Sequence, residues 1–434
     1  MTIQGANDTP SDIIGTLTIA ENSANGTAVG TVTGVDADSG DTRTWSLIDS
    51  AGGRFAINSS TGAVTVANST LLDYETTTSH NITIRVTDTA GAFFDKVFAV
   101  TVSDVAEALT LTAGNDTFTD NGITEISVDA SGGDDLVYAS SGNDNLNGGT
   151  GTDTVSYENA TSAVTVSLAT TSAQATVGSG TDTLQQFENL RGSAFHDTLT
   201  GDANGNTLRG LGGNDTFTGG AGDDTFNIDS GTDAITDLGN GVDILNISAG
   251  ATVNATATAA WTATASTSNA GTASVTAAGF SINLSSATGA SGWTITNSGN
   301  ATAVTLTGSG NADVLTGGTN ADTLVGGAGN DSLTGGAGND TFTVASGTDT
   351  ITDLGNGVDI INISAGATAN ATAVDAWTAT ASTSNAGTAS ITAAGFSINI
   401  SSATGASGWT ITNSGKATAV TLYTSAIPDV LTGA

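Results

Sequence analysis

Along most of the chain, apolar residues recur every nine positions, each flanked by polar residues. One series is Leu199, Leu208, Phe217, Phe226 and Ile235, and a second is Leu315, Leu324, Leu333, Phe342 and Ile351. A regular helix has no nine-residue period, whereas a chain that forms a turn, a short strand and another turn can have one. The pattern predicts a solenoid of short strands in which the middle residue of each strand faces a thin core.

The first 107 residues follow a different pattern, in which apolar and polar residues alternate with a period of two. The alternation is clearest in five runs separated by Gly, Asn, Asp and Ser: Gly15–Ala20, Thr27–Thr33, Ala63–Ala67, Asn81–Val86 and Lys96–Val102. Short alternating strands at this spacing predict a β-sandwich. The chain as a whole is therefore expected to be all-β.

An aspartate, replaced by asparagine at one position, precedes each phased apolar residue by two positions and lies in a glycine-rich turn. The resulting aspartate ladders are Asp135, Asp144 and Asp153; then Asp197, Asp215, Asp224 and Asp233, with Asn206 in one place; then Asp313, Asp322, Asp331, Asp340 and Asp349. Glycine permits positive φ and leaves backbone carbonyls as hard oxygen ligands beside the carboxylates. With no cysteine and only two histidines, far apart in sequence, the ligand chemistry indicates Ca²⁺ rather than zinc.

The clearest repeat units are Gly210–Thr218, Gly219–Asn227, Gly326–Thr334 and Gly335–Thr343. They resemble the G-G-x-G-x-D-x-U-x nonapeptide of RTX proteins, and the resemblance implies a right-handed parallel β-roll that binds calcium. In that family each ion lies between loops two repeats apart. The resemblance therefore implies ions at Asp197/Asp215, Asn206/Asp224, Asp215/Asp233, Asp313/Asp331, Asp322/Asp340 and Asp331/Asp349. The glycines of the same units complete the implied ligand set: Gly210, Gly213, Gly219, Gly222, Gly326, Gly329, Gly335 and Gly338.

The acidic residues of the first 107 positions come in an order that resembles a bacterial cadherin repeat, with Asp36-Ala37-Asp38 and Leu72-Asp73-Tyr74-Glu75 as its most specific motifs. Cadherin calcium sites lie at junctions between consecutive modules. The resemblance implies that one group faces a following module: Glu21, Asp73, Glu75, Asp104 and Glu107. A second group would face a preceding module: Asn7, Asp8, Asp36, Asp38 and Asp88.

The second and third ladders belong to a duplication in which 201–306 and 317–422 align with a shift of 116 residues. Each copy has a ladder followed by an Ala/Thr/Ser-rich part whose pattern predicts strands. The stretch 254–264 is the exception, because its composition is compatible with a helix or a strand. The expected domains are 1–107 as a sandwich, 108–192 as a first roll with an insertion at 156–196, 193–308 and 309–424 as the two copies, and 425–434 as the start of a third.

Seven basic residues oppose 42 acidic ones, which gives a net charge of −35. Such a balance excludes nucleic-acid binding as a main role and disfavours anionic lipid surfaces. It also makes the metal-free chain repel itself, so folding should be coupled to calcium binding. No apolar run reaches the length of a transmembrane helix.

No motif for catalysis is present: H-E-x-x-H does not occur, no histidine has a serine in a nucleophile context, and the carboxylates lie in glycine turns. The favoured interpretation is a secreted structural or adhesive protein on a bacterial cell surface, as part of a surface layer, filament or adhesin. Such a protein would self-associate, and one hypothesis is that its subunits join head to tail. The alternative is the RTX tail of a larger secreted enzyme or toxin. A third class, binding to ice or another flat surface, rests on runs such as Thr262-Ala263-Thr264, which are few and irregular along the sequence.

Overall fold

The computed structural model describes residues 7–38, 42–74, 76–105, 107–119 and 125–433, with only the backbone at 107 and 108. The chain divides into two compact units, Met1–Ala108 and Leu109–Ala434. Two residues implied by the cadherin resemblance are affected: Glu75 and the side chain of Glu107 lie outside the described part of the chain.

The first unit is a largely antiparallel sandwich, and its alternating apolar residues point into one core. Its strands are β1 (Asp12–Ile14), β2 (Thr18–Ala20), β3 (Ala28–Thr31), β4 (Thr33–Val35), β5 (Thr44–Asp49), β6 (Phe55–Ile57), β7 (Ala63–Val66), β8 (Ser79–Thr87) and β9 (Phe93–Ser103), with a 3-10 turn at Ser69–Leu71. The sheets have the strand orders β2-β9-β8-β5, β3-β7-β6 and β1-β4, with β2 parallel to β9. Trp45, Phe55, Ile82, Ile84 and Val100 are buried between them.

The second unit is a parallel β-solenoid of about 16 turns. Its first strands are β10 (Glu107–Thr110), β11 (Thr117–Phe118), β12 (Ile126–Asp129), β13 (Leu136–Tyr138), β14 (Asn145–Asn147), β15 (Thr154–Ser156), β16 (Thr165–Ser167), β17 (Gln174–Ala175), β18 (Thr181–Gln185) and β19 (Asn189–Arg191).

The strands of the first duplicated copy are β20 (Thr198–Thr200), β21 (Thr207–Arg209), β22 (Thr216–Thr218), β23 (Thr225–Ile228), β24 (Thr232–Leu238), β25 (Ile244–Ile247), β26 (Thr252–Ala257), β27 (Trp261–Thr262), β28 (Ser268–Asn269), β29 (Thr272–Thr276), β30 (Ile282–Asn283), β31 (Thr288–Gly289), β32 (Trp293–Thr296) and β33 (Thr305–Thr307). The stretch 254–264, open between helix and strand in the sequence, contains no helix: 254–257 belong to β26 and 261–262 to β27.

The second copy continues with β34 (Val314–Thr316), β35 (Thr323–Val325), β36 (Ser332–Thr334), β37 (Thr341–Val344), β38 (Thr348–Leu354), β39 (Ile360–Ile363), β40 (Thr368–Ala373), β41 (Trp377–Thr378), β42 (Ser384–Asn385), β43 (Thr388–Thr392), β44 (Ile398–Asn399), β45 (Thr404–Gly405), β46 (Trp409–Thr412), β47 (Leu422–Tyr423) and β48 (Val430–Thr432).

One sheet of 14 parallel strands runs through both copies, in the order β16-β20-β22-β24-β26-β29-β32-β34-β36-β38-β40-β43-β46-β48. Sheets of nine, eight, five and three strands complete the coils. The 156–196 insertion supplies β16 to β19, and β17 is antiparallel to β18. Successive strands are in register, so Leu199 lies opposite Phe217 and Leu315 opposite Leu333.

The phased apolar residues form the continuous core of the solenoid, as the nine-residue pattern predicted. Leu208, Phe217, Phe226, Leu324 and Phe342 have no exposed surface. In the Ala/Thr/Ser-rich coils alanine is the most frequent inward residue, and a pair of tryptophans in each copy fills the space that remains. The ring centroids are 6.1 Å apart in Trp261/Trp293 and 6.2 Å apart in Trp377/Trp409.

Candidate calcium sites

The ladder aspartates are buried at the turns between strands of the solenoid, each at most 2% exposed. Each directs its Oδ1 atom at a backbone N–H of the preceding coil, 18 residues earlier in the regular nonapeptide part. The Asp197 N–H donates to Asp215 Oδ1 at 2.8 Å, for example, and the Asp313 N–H to Asp331 Oδ1 at 2.9 Å. Burial and register therefore stack the aspartates of alternate repeats one above another.

All six residue pairs implied by the RTX resemblance are brought together in this way. A backbone N–H of the first residue donates to the side chain of the second, over 2.8–3.1 Å, in Asp197/Asp215, Asn206/Asp224, Asp215/Asp233, Asp313/Asp331, Asp322/Asp340 and Asp331/Asp349. In the first ladder, the Asp135 N–H donates to Asp153 Oδ1 at 2.8 Å. The coils thus bring together residues two repeats apart, the spacing that the RTX resemblance implies.

The second carboxylate oxygen defines two groups among nine of the twelve ladder aspartates; Asp224, Asp233 and Asp340 belong to neither. The first group has a buried Oδ2 atom with no hydrogen-bond partner, and its members are Asp135, Asp153, Asp215, Asp331 and Asp349. A buried oxygen that lacks a donor is costly for a protein to maintain, more so when it carries charge. We call this group the open aspartates.

The second group accepts N–H bonds on both oxygens, and we call its members the saturated aspartates: Asp144, Asp197, Asp313 and Asp322. Asp322 accepts from Val304 N–H at 2.8 Å and from Gly318 N–H at 2.5 Å. Asp313 accepts from Trp293 N–H at 2.6 Å and from Ser309 N–H at 2.5 Å. Backbone donors already stabilise these carboxylates, so they need no cation to be buried.

Both polar atoms of the Asn206 side chain are also hydrogen-bonded. Its Oδ1 accepts from the Asp202 N–H at 2.7 Å, and its Nδ2 donates to the Glu188 carbonyl at 3.0 Å. The amide therefore replaces a carboxylate without leaving an unpaired oxygen. This position departs from the aspartate of the family pattern in structure as well as in charge.

The first glycine of each repeat unit leaves a space lined by oxygen atoms. A Cβ atom on Gly326 would lie against Asp331 Oδ2 and 3.0 Å from Asp349 Oδ2. On Gly308 and Gly317 it would collide with the carbonyl oxygen of the glycine one coil further on, as well as with an aspartate Oδ2. Carboxylate and carbonyl oxygens thus converge where any other residue would place a side chain, and this donor set suits a hard cation such as Ca²⁺.

The second glycine of the unit provides the turn itself. Gly220, Gly327 and Gly336 have φ values of 104°, 98° and 96°, which favour glycine strongly. Among the described residues no group of three or more His, Asp or Glu side chains converges as a metal site. Because Ca²⁺ takes six to eight oxygen ligands, roughly, backbone carbonyls would have to provide a large share of them.

Burial raises the pKa of several aspartates in the ladders. It raises the pKa of Asp215 and Asp331 to about 7, and neighbouring carboxylates add to the effect. The pKa of Asp224, Asp340 and Asp349 rises to about 6, again chiefly through burial. Without a cation these groups therefore ionise at a higher pH than an exposed aspartate, although backbone N–H donors lower each pKa in part.

Four further aspartates have the same position in the coil but were not among the predicted ligands: Asp182, Asp243, Asp359 and Asp429. The Asp224 N–H donates to Asp243 Oδ1 at 3.1 Å, and the Asp340 N–H donates to Asp359 Oδ1 at 3.0 Å. A strict nine-residue count misses them because the coils between them are longer. The repeated Asp-Leu-Gly-Asn-Gly-Val-Asp segment is the signal that could have revealed Asp243 and Asp359.

The first aspartate of that segment has a separate role. Asp237 accepts hydrogen bonds from the Gly219 and Gly220 N–H groups at 2.9 and 2.8 Å, and Asp353 accepts the equivalent pair from Gly335 and Gly336. A carboxylate that receives two consecutive N–H groups is held as in an anion nest. Each therefore fixes the glycine loop of the preceding coil.

In the first unit, Glu21 joins two of the segments predicted to face a following module. Its Oε2 accepts from the Tyr74 N–H at 2.7 Å and its Oε1 from the Val105 N–H at 2.9 Å. Glu21 is only 2% exposed, and it brings Asp73 and Asp104 into the same region through these neighbours. Asp73 itself accepts from the Thr76 N–H and hydroxyl at 3.0 and 2.8 Å.

The residues predicted to face a preceding module form a second group, around the turn between β8 and β9. Asn7 Nδ2 donates to Asp88 Oδ2 at 2.9 Å, and the Asp8 N–H donates to Asp38 Oδ2 at 2.6 Å. The Asp38 N–H donates to Asp36 Oδ1 at 3.0 Å, whereas Asp36 Oδ2 is buried without a partner. The Asn7 hydrogen bond, followed by backbone N–H donors, holds the pKa of Asp88 below its usual value. The two groups lie at opposite ends of β9, about 30 Å apart.

The described residues contain no helix with the length and hydrophobicity needed to cross a bilayer.

Two family models match the chain. The cadherin domain model matches residues 16–103, and the model of the RTX calcium-binding nonapeptide repeat (4 copies) matches 127–156, 200–235 and 316–351. The chain therefore carries a cadherin domain together with RTX nonapeptide repeats, which are known to bind calcium. Both resemblances drawn from the sequence are confirmed.

A search of curated proteins finds no match. Among solved structures, chicken VE-cadherin EC1-2 matches 22% of this chain and 50% of its own, at 24% identity and a TM-score of 0.20. Drosophila N-cadherin EC1-3 matches 23% of this chain and 36% of its own, at 20% identity and a TM-score of 0.20. Protocadherin Gamma B7 domains 1-4 match 23% of this chain and 25% of their own, at 22% identity and a TM-score of 0.20. The chain thus spans half or less of these structures.

Proposed function

We propose that the chain is an extracellular calcium-binding structural or adhesive protein whose solenoid folds as it takes up calcium. The observation that carries the proposal is the repeated, buried and unpartnered Oδ2 atom of the open aspartates, such as Asp215 and Asp331. Asp153, Asp215, Asp331 and Asp349 each have this oxygen beside a position that glycine leaves without a side chain. Without calcium, the folded solenoid must bury these carboxyl groups either charged and unpaired or protonated.

A structural role follows from the repetition of the whole module. The second copy keeps the aspartates of the first, and it also keeps the buried tryptophans, with Trp377 and Trp409 equivalent to Trp261 and Trp293. A stacked array of this kind extends a solenoid and its surfaces. We assign no catalytic step to the chain, because its buried carboxylates lie in glycine turns where calcium binding explains them better than acid-base chemistry.

The setting that we propose is a bacterial cell surface, where the protein self-associates in a surface layer, filament or adhesin. Calcium affinities on the order of 10⁻⁴–10⁻³ M, typical of extracellular modules, would keep the solenoid folded only outside the cell. A chain folded by external calcium can remain unfolded until it is exported.

Hydrogen exchange on the full chain, with millimolar calcium and with chelator, tests this function. We expect chelation to abolish amide protection across 125–433 and to leave much of the protection in 76–105, because the sandwich has a conventional apolar core. Magnesium serves as the control, since it prefers a smaller, octahedral and hydrated site. Equal protection of the solenoid with and without calcium would contradict the proposal.

A further inference from the structure

The outer face of the 14-stranded sheet carries an almost unbroken row of threonines. We call it the threonine row: Ser167, Thr200, Thr218, Thr236, Thr256, Thr276, Thr296, Thr316, Thr334, Thr352, Thr372, Thr392, Thr412 and Thr432. Most consecutive members lie opposite each other in the strand register. In Thr218/Thr236 and Thr334/Thr352 the two hydroxyl groups form a hydrogen bond of 2.7 Å. Only the bulges after Ile235 and Ile351 interrupt the pairing.

A second outward row lies two residues earlier on every strand. It consists of small or β-branched side chains: Thr165, Thr198, Thr216, Ala234, Asn254, Ser274, Thr294, Val314, Ser332, Thr350, Asn370, Ser390, Thr410 and Val430. Together the two rows form one continuous surface, the threonine face. Its residues are exposed or half-buried.

No ionisable side chain belongs to either row, although the protein has 42 acidic residues. Asp233 and Asp349, on strands of the same sheet, point into the solenoid and are buried. Asp237 and Asp353 lie at the bulges and are held by glycine N–H groups. By contrast, the nine-stranded sheet carries Arg191 and Arg209 on its strands.

We propose that the threonine face pairs with the same face of a second copy of this chain. Two copies with a net charge of −35 repel each other, and close approach is least opposed where neither presents a charge. Short β-branched side chains have few rotamers to lose on association. The face also lacks the aromatic and arginine anchors typical of interfaces with unrelated proteins.

The area is sufficient for such a contact. At about 4.8 Å per strand, 14 strands extend roughly 65 Å, and the two rows are about 10 Å wide with their margins. Pairing would bury roughly 650 Å² on each copy, or about 1,300 Å² in total, which lies within the range of stable interfaces. A twofold axis would place the rows of one copy against those of the other, as in isologous contacts.

The pairing deepens the self-association in the proposed function and rests on it, because only the calcium-folded solenoid presents the face. Sedimentation velocity of the full chain in millimolar calcium, over a range of concentrations, tests it. We expect the wild-type mass to rise from monomer to dimer. Thr316→Glu, at the centre of the threonine row, should weaken this association at least tenfold, because like charges would face each other across the twofold axis.

Thr307→Glu is the matched control. Thr307 is also half-buried, but it lies on β33 in the eight-stranded sheet, where the substitution should leave the association unchanged. Amide protection of both variants in calcium, measured by hydrogen exchange, shows whether they fold. If amide protection of the wild type did not depend on calcium, that result would count against the proposed function alone. A folded wild-type monomer at all concentrations, or equal weakening by both substitutions, would overturn the pairing. A monomer that shapes growing ice crystals would overturn it in favour of ordered water as the occupant.

Discussion

At the scale of single residues, the bonding of the second carboxylate oxygen distinguishes aspartates that look identical in sequence. The saturated Asp322 has an N–H donor on each oxygen, whereas the open Asp331 has a donor on Oδ1 only. Backbone donors stabilise a buried carboxylate as a cation does, so the two arrangements are alternatives. We therefore expect calcium to depend on the open aspartates.

Asp331→Asn provides the sharpest test of this distinction. The amide can still accept the Asp313 N–H, but it removes a buried charge. We expect the variant to bind at least one calcium ion fewer and to melt at a lower temperature in calcium. In chelator it should melt at a higher temperature than the wild type, because no carboxyl group remains there to be buried unpaired. Equilibrium dialysis and thermal melts measure both effects.

Asp322→Asn is the control for that experiment. Its Nδ2 would meet an N–H donor, so we expect a loss of about 1 kcal/mol in either condition and no change in the calcium count. A calcium count that falls equally in both variants would refute the distinction between open and saturated aspartates.

Gly326→Ala tests the oxygen-lined space directly. The added methyl group would occupy the position beside Asp331 Oδ2 and Asp349 Oδ2. We expect the loss of one bound calcium and a destabilisation of about 1–3 kcal/mol in calcium, as for other overpacked sites. Gly310→Ala is the matched control, because a Cβ there has no heavy atom within 4 Å and should leave both quantities unchanged.

The nine-residue period predicted where the ladder aspartates lie, because burial alternates with the strand period, whereas the RTX resemblance implied which of them pair. Neither revealed which aspartates are saturated. That depends on a donor four residues earlier in the loop, such as Ser309 before Asp313 or Ser193 before Asp197. The serine is visible in the sequence, but the direction of its N–H is set by the fold of the loop.

At the scale of elements, each module is built from coils of two lengths, and both kinds contribute strands to the same 14-stranded sheet. Nonapeptide coils advance 18 residues between register partners, as in Leu315/Leu333, whereas the alanine-rich coils advance 20, as in Ala255/Val275. The change of length is why the threonine row cannot be read from a fixed spacing. It also explains why Asp243 and Asp359 were missed.

The alanine-rich coils depend on tryptophan to fill their interior. Trp261 is fully buried, its Nε1 donates to the Asp243 carbonyl at 2.9 Å, and its ring contacts Trp293. We expect Trp261→Ala to destabilise the calcium-loaded solenoid by about 3–5 kcal/mol, the usual range for a buried aromatic residue. Phe280→Ala is the control, because Phe280 is 37% exposed and should contribute much less. Denaturant unfolding in calcium would measure both, and equal losses would contradict this account of the packing.

At the scale of the whole molecule, proton and calcium compete for the same carboxylates, so calcium should reverse the pH dependence of stability. In the metal-free solenoid, burial raises the pKa of Asp215 and Asp331 to about 7 and of Asp224 and Asp233 to about 6, from 3.8. The folded state then binds more protons than the unfolded state between these values. Stability contributed by the protonated groups is present below pH 4 and is lost as the pH rises to about 7.

Calcium binding has the opposite sign, because the ion displaces those protons and binds more tightly as the pH rises through the same range. We expect the melting temperature in chelator to fall between pH 5.5 and pH 8, and the increase produced by millimolar calcium to be small at pH 5.5 and large at pH 8. Thermal melts at the two pH values, with and without calcium, measure all four quantities. A calcium effect of equal size at both values would show that the buried aspartates are not where the ion binds, since only groups that titrate in this range can couple the two equilibria.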